Sequence, residues 1–130
     1  MSEKRVLVVD DEIHIVHVVA IKLRNNGYDV ITANNGAEAF ELACREDPDI
    51  IVTDFQMPVM TGLELVRNLR GNEKMRGIPV ILLTARSFAI SQEQQDELQI
   101  SECISKPFSP KELLGSIEDI LYQKELVADN

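Results

Sequence analysis

Residues 50–62 read Ile50-Ile51-Val52-Thr53-Asp54-Phe55-Gln56-Met57-Pro58-Val59-Met60-Thr61-Gly62, and the fold is decided in this run. Its opening Ile-Ile-Val does not alternate with polar residues, which suits a strand covered on both faces, as in a parallel sheet. The run stops at an acidic residue and passes through a proline turn. It then reaches Thr61-Gly62-Leu63-Glu64, whose Thr and Glu at positions one and four fit a helix capping box.

The same unit recurs along the chain. Apolar runs at 6–9, 30–33, 50–53, 80–83 and 103–105, the last the weakest, are each followed by an amphipathic segment. Ser109 with Glu112 forms a second capping box, and Pro110 occupies the first helical position, where a missing N–H costs nothing. Asn35 with Glu38 and Ser91 with Gln94 are weaker versions. Gly27 follows a first helix expected over 13–26, where the chain needs a left-handed residue. A last helix is expected over 110–126. Five β-α units predict one α/β domain over 1–130 with no second domain, and the closing residues 127–130 carry no linker character, which favours a stand-alone protein. Right-handed crossovers then give a doubly wound, five-stranded parallel sheet of order 2-1-3-4-5, flavodoxin-like, with helices on both faces.

Bulk composition narrows the partners. The 130 residues carry a net charge of -9 and a pI near 4.6, which opposes direct nucleic-acid binding and favours cations or basic surfaces. Cys44 and Cys103 lack any C-x-x-C spacing, and the opening Met-Ser-Glu-Lys-Arg leads into no signal sequence. No apolar run approaches the ~18 residues of a membrane span. These features predict a cytoplasmic protein with free thiols and no membrane insertion.

The polar residues fall at one end of the runs. Asp10 and Asp11 close the first, Asp54 the third, Thr84 the fourth and Lys106 the fifth. In a parallel sheet that end is a single edge, so three carboxylates, a hydroxyl and an ammonium converge there. Taken singly, Asp11 reads as a helix cap and Thr84 and Lys106 as ordinary strand-end and solvated residues; the conjunction is what carries the chemistry. Carboxylates about 5 Å apart repel by about 3 kcal/mol per pair at an effective dielectric of about 20. Such a cluster calls for a cation, a lysine or raised pKa values. Without His or Cys ligands the ion is hard, and Mg²⁺ takes only one or two carboxylates, which leaves another free to attack phosphorus. Thr84 could donate to the new phosphoryl group, with the small Ala85 beside it leaving room.

With these motifs in hand, the sequence resembles the receiver domain of two-component response regulators. The resemblance rests on Val8-Val9-Asp10-Asp11-Glu12, Thr53-Asp54 through Pro58 to Gly62, Leu82-Leu83-Thr84-Ala85, and Lys106-Pro107-Phe108, in family order and spacing. It implies a signalling switch and not a turnover enzyme, with Asp54 as phosphoacceptor. It also implies Mg²⁺, for which Mn²⁺ can substitute, held by Asp11, Asp54 and the Gln56 backbone carbonyl with Asp10 assisting. Thr84, Ala85 and Lys106 would meet the phosphoryl group, and the peptide before Pro107 would be cis. The implied donor is a histidine kinase or histidine phosphotransfer protein docking over the first helix. The output surface, for a downstream protein the sequence does not identify, would lie around the fourth helix, fifth strand and fifth helix. Gln56 and Arg86 hold the positions that tune phosphoryl lifetime in the family. Cys103 departs from the family pattern, which has an inward-turning aromatic there, so the expected relay runs through the loop of residues 84–91. The competing reading is a receiver-shaped interaction module that is never phosphorylated.

Overall fold

The computed structural model describes residues 3–85 and 90–128, with side chains to 126. All five apolar runs are strands: β1 (Arg5–Val9), β2 (Asp29–Ala33), β3 (Ile50–Asp54), β4 (Val80–Thr84) and β5 (Glu102–Ser105). The helices between and after them are α1 (Ile13–Arg24), α2 (Gly36–Glu46), α3 (Gly62–Arg70), α4 (Gln92–Glu97) and α5 (Pro110–Ala128). The sheet is parallel throughout, in the order β2-β1-β3-β4-β5. The expected architecture is therefore the observed one.

Side-chain alternation explains why helices cover both faces. Successive strand residues point to opposite sides. Leu7, Val9, Ile51 and Leu82 pack with Ala39 and Ala43 of α2 and Leu65, Val66 and Leu69 of α3. Val6, Val8, Ile50, Val52, Ile81 and Leu83 pack instead with Val19, Ala20 and Leu23 of α1 and Leu113, Leu114 and Ile117 of α5. Every residue of β3 and β4 is buried, which is why those runs are nearly unbroken Val, Ile and Leu. On β5, at the sheet edge, only Ile104 is fully buried, which accounts for its weak signal.

Each expected cap side chain accepts from the amide three residues on. Thr61 accepts from the Glu64 amide at 3.2 Å while Glu64 accepts from the Thr61 amide at 3.0 Å. Ser91 and Gln94 close a complete box as well. Ser109 accepts from the Glu112 amide at 3.0 Å. Asn35 accepts from the Glu38 amide, but Glu38 turns back one residue further, to the amide of Asn34. α1 ends at Arg24 and not at 26, because the amides of Asn26 and Gly27 tighten onto the carbonyls three residues back and Gly27 reaches φ +91°.

Two features shape the loop after β3. A Cβ on Gly62 would stand 2.5 Å from the carbonyl oxygen of Asp54, and the Gly62 amide donates to Phe55 at 2.8 Å. Only glycine lets α3 start so close to the acidic residue. Between them the Met60 amide donates to the Pro58 carbonyl at 2.8 Å, and Val59 has φ +72° with 86% of its surface exposed. This is the strained form of the γ-turn, carried by a β-branched residue that disfavours it.

Val59→Asn removes that penalty, and thermal melts should show a gain of about 1 kcal/mol. Gly62→Ala should lose about 2 kcal/mol or more, since backbone must move to admit the methyl. A Val59→Asn protein no more stable than its parent would contradict the strain.

Candidate functional site

The strand ends bring together residues far apart in sequence. The amide of Lys106, just past β5, donates to the Thr84 carbonyl at 2.8 Å, and the amide of Phe55 donates to Leu83 at 2.8 Å. These backbone bonds set the ends of β3, β4 and β5 side by side. Asp10 follows β1, and its Oδ1 accepts from the Glu12 amide at 2.9 Å, which fixes its carboxylate.

Lys106 is the centre of the cluster. Its Nζ lies 3.0 Å from Asp10 Oδ2, 3.0 Å from Asp54 Oδ1 and 3.3 Å from Glu12 Oε1. Asp10 and Asp54 are buried, whereas Asp11 and Glu12 are exposed. A cavity of about 250 Å³ opens between them, lined by Asp11, Glu12, Asp54, Gln56, Ala85 and Lys106. Four carboxylates thus face one ammonium.

Burial, with that imbalance added to it, sets the pKa values. Burial pushes Asp54 from 3.8 up to about 6; Lys106 opposes the rise, and Asp10 and Asp11 add to it. Burial also raises Asp10, against the Glu12 amide and Lys106. Burial alone would lower Lys106, but the hydrogen bonds and charges of Asp10 and Asp54 outweigh it and hold the ammonium above its ordinary value.

The donor set fits a hard divalent ion. Asp10, Asp11 and Asp54 each offer an oxygen, all within 4.8 Å of one another. Opposite ligands of an octahedral Mg²⁺ stand about 4.2 Å apart, given Mg–O distances of about 2.1 Å, so small rotations suffice. Among the described residues no His or Cys joins them.

Of the residues singled out from sequence, Asp10, Asp11, Asp54, Gln56, Ala85 and Lys106 meet at this edge, and Thr84 lies buried beside them. The Lys106–Pro107 peptide is cis. Cys103 is half-buried against the α2–α3 side of the core and opposite Leu82, and burial raises its thiol pKa. Arg86, and residues 86–89 of the expected relay loop, lie outside the described residues. Sequence reasoning gave Glu12 no role of its own, although it stands in the same acidic triplet and bonds Lys106.

Beside the cavity runs a groove of about 530 Å³, lined in part by His14, Ile15, Val18, Pro107 and Phe108 and sharing Glu12 and Lys106 with the cavity. Ile13, Val18 and Ile21 of α1 are exposed by 64%, 52% and 53%. The helix therefore presents an apolar face next to the acidic centre. Among the described residues no helix is long and apolar enough to cross a membrane.

Comparison with known proteins agrees with this geometry. The family model described as the response regulator receiver domain matches residues 6–118. The chain is 39% identical over 125 residues to the alkaline phosphatase synthesis transcriptional regulatory protein PhoP of Bacillus subtilis, covering 96% of this chain and 51% of that one. It is 36% identical over 121 residues to the phosphate regulon transcriptional regulatory protein PhoB of Pseudomonas aeruginosa, covering 93% and 53%. The chain spans about half the length of these curated relatives. Among solved structures, a chemotaxis response regulator of Vibrio cholerae superposes with a TM-score of 0.85 at 33% identity, covering 92% of this chain and 99% of that one.

The folded protein holds the Asp54 proton more tightly than the unfolded chain, so this group's contribution to metal-free stability falls as pH rises from about 4 to about 6. In chelator at neutral pH, Asp54→Asn should be more stable than wild type by up to about 3 kcal/mol, about two pKa units at 1.36 kcal/mol each. Millimolar Mg²⁺ should narrow the gap. Denaturant titrations that find the variant equal or weaker would contradict the cost of ionising this buried carboxylate.

Proposed function

We propose, from the premise that this chain belongs to the response regulator receiver domain family, that Asp54 accepts a phosphoryl group and that its phosphorylation state is the signal. The family is a signalling switch of two-component systems. The observation that carries the assignment to Asp54 is its position: a buried carboxylate 3.0 Å from Lys106, lining a cavity open enough to admit a phosphoryl group.

The chemistry follows from the groups present. An Asp54 oxygen attacks phosphorus, and the O–P bond forms as the N–P bond of a donor phosphohistidine breaks. The electron pair leaves with the imidazole nitrogen, which takes up a proton. Lys106 offsets charge on the transferring oxygens, Thr84 donates its hydroxyl to one of them, and Ala85 leaves the space. Asp11, Asp54 and the Gln56 backbone carbonyl would hold Mg²⁺ or Mn²⁺, with Asp10 assisting. The ion, when bound, neutralises the carboxylates and the incoming phosphoryl oxygens.

A histidine kinase or phosphotransfer protein is the donor this reading requires. The apolar face of α1 and the groove beside Phe108 lie next to the cavity and suit a helical partner carrying a phosphohistidine. On α4 and β5, Glu93, Asp96, Glu97 and Glu102 give the output face an acidic character, which favours a basic partner. With Cys103 in place of an aromatic, the relay to that face has no ring to swing and depends on the loop that follows Thr84. Arg86, together with Gln56, would set how long the phosphoryl group lasts.

Incubation with Mg²⁺ and a small phosphodonor should add one phosphoryl group by intact mass. Chelator or Asp54→Asn should abolish the adduct, and Asp11→Asn should weaken Mg²⁺ binding about tenfold or more. An unlabelled wild type would leave the chain an interaction module only, and an adduct that persists in Asp54→Asn would place the acceptor on another residue.

A further inference from the structure

A second groove, of about 810 Å³, lies at the other end of the strands, where the chain leads into β4 and β5. Ile78 and Ile120 belong to its apolar floor, and Arg70, Arg76 and Lys124 stand around it, with Asp119 the single acidic lining residue among the described ones. In a chain of net charge -9 this is a local excess of two positive charges, from three cations against one anion.

Among the described residues, Asp119 is the one carboxylate that lines the groove with these cations. Arg70 donates to four carbonyls, those of Leu98, Arg76, Ile78 and Gln99, at 2.8, 2.9, 2.8 and 3.1 Å. Carbonyls satisfy its hydrogen bonds but do not neutralise it, and burial lowers its pKa. Among the described residues, neither Arg70, Arg76 nor Lys124 forms an ion pair. Arg76 and Lys124 are exposed, with their charged ends available to an incoming group. An apolar floor with unneutralised cations at its rim is complementary to an extended segment that places an apolar side chain between carboxylates.

We infer that this groove is a docking site for an acidic, apolar-anchored peptide segment of a partner protein. The site is separate from Asp54 and does not depend on its phosphorylation. Docking places carboxylates against Arg76 and Lys124 and an apolar side chain against Ile78 and Ile120, and it weakens as salt rises.

The test uses the full chain labelled with ¹⁵N and a capped Glu-Leu-Asp-Phe-Glu peptide as probe, with Gln-Leu-Asn-Phe-Gln as its neutral counterpart. The acidic peptide should shift the amides of Ile78, Gln99 and Ser101 and leave those of Asp11 and Ala85 unmoved. Arg76→Glu combined with Lys124→Glu should weaken binding at least tenfold, while Arg76→Gln with Lys124→Gln should give an intermediate loss. Both variants should melt like the parent and accept phosphoryl groups from a small donor as the parent does. Equal binding of the neutral peptide, shifts that ignore the charge reversal, or an absence of shifts at the groove would overturn the inference. Saturation of the same amides by inorganic phosphate as readily as by the peptide would reduce the site to an unspecific anion contact and overturn it as well.

Discussion

The ammonium of Lys106 stands 3.0 Å from Asp10 and 3.0 Å from Asp54, and the acidic edge of the sheet is tolerable because of that bridge. Without it, two buried carboxylates would face each other with no charge between them. With it, the balance is still negative, since Asp11 and Glu12 add to the same cavity. The edge is therefore left unsatisfied by the polypeptide alone. Its remaining charge suits a divalent cation, which is the basis on which a phosphoryl group is proposed to enter there.

The rest of the fold serves to hold this bridge. Parallel pairing of β1, β3, β4 and β5 aligns their carboxyl ends, and the Lys106 amide on the Thr84 carbonyl sets the depth at which the ammonium enters. Gly62 then allows α3 to begin against the Asp54 carbonyl, with Thr61 and Glu64 capping it. The strained turn at Val59 lies between those two fixed points. Three residues lie between Pro58 and Gly62, and the path through them reverses sharply at Val59.

Much of this could be read from residue order. Uninterrupted Val, Ile and Leu on β3 and β4 reflects burial on both faces, and the capping pairs at 61 and 64 and at 91 and 94 reflect local backbone chemistry. The placement of Asp10, Asp54 and Lys106 followed from topology, because a parallel sheet has only one carboxyl edge. What could not be read depends on side-chain reach. Glu12 is one more acidic residue after Asp11 in the sequence, and its part shows only in a carboxylate 3.3 Å from Lys106. Arg70 is tied to four carbonyls drawn from two segments of the chain, 76–78 and 98–99, which no local spacing announces. Val59 carried no signal at all, since a β-branched residue does not advertise a left-handed turn.

Alternation along the strands divides the interior into two compartments separated by a sheet one backbone thick. Leu7 and Val9 belong to one, Val6 and Val8 to the other. Volume lost beneath α1 and α5 cannot be refilled from beneath α2 and α3, because no side chain passes through the sheet. Compensating substitutions must arise in the same compartment as the original change. Sequence drift in this chain is therefore partitioned, with two sets of apolar positions free to evolve almost independently while the backbone between them stays in place.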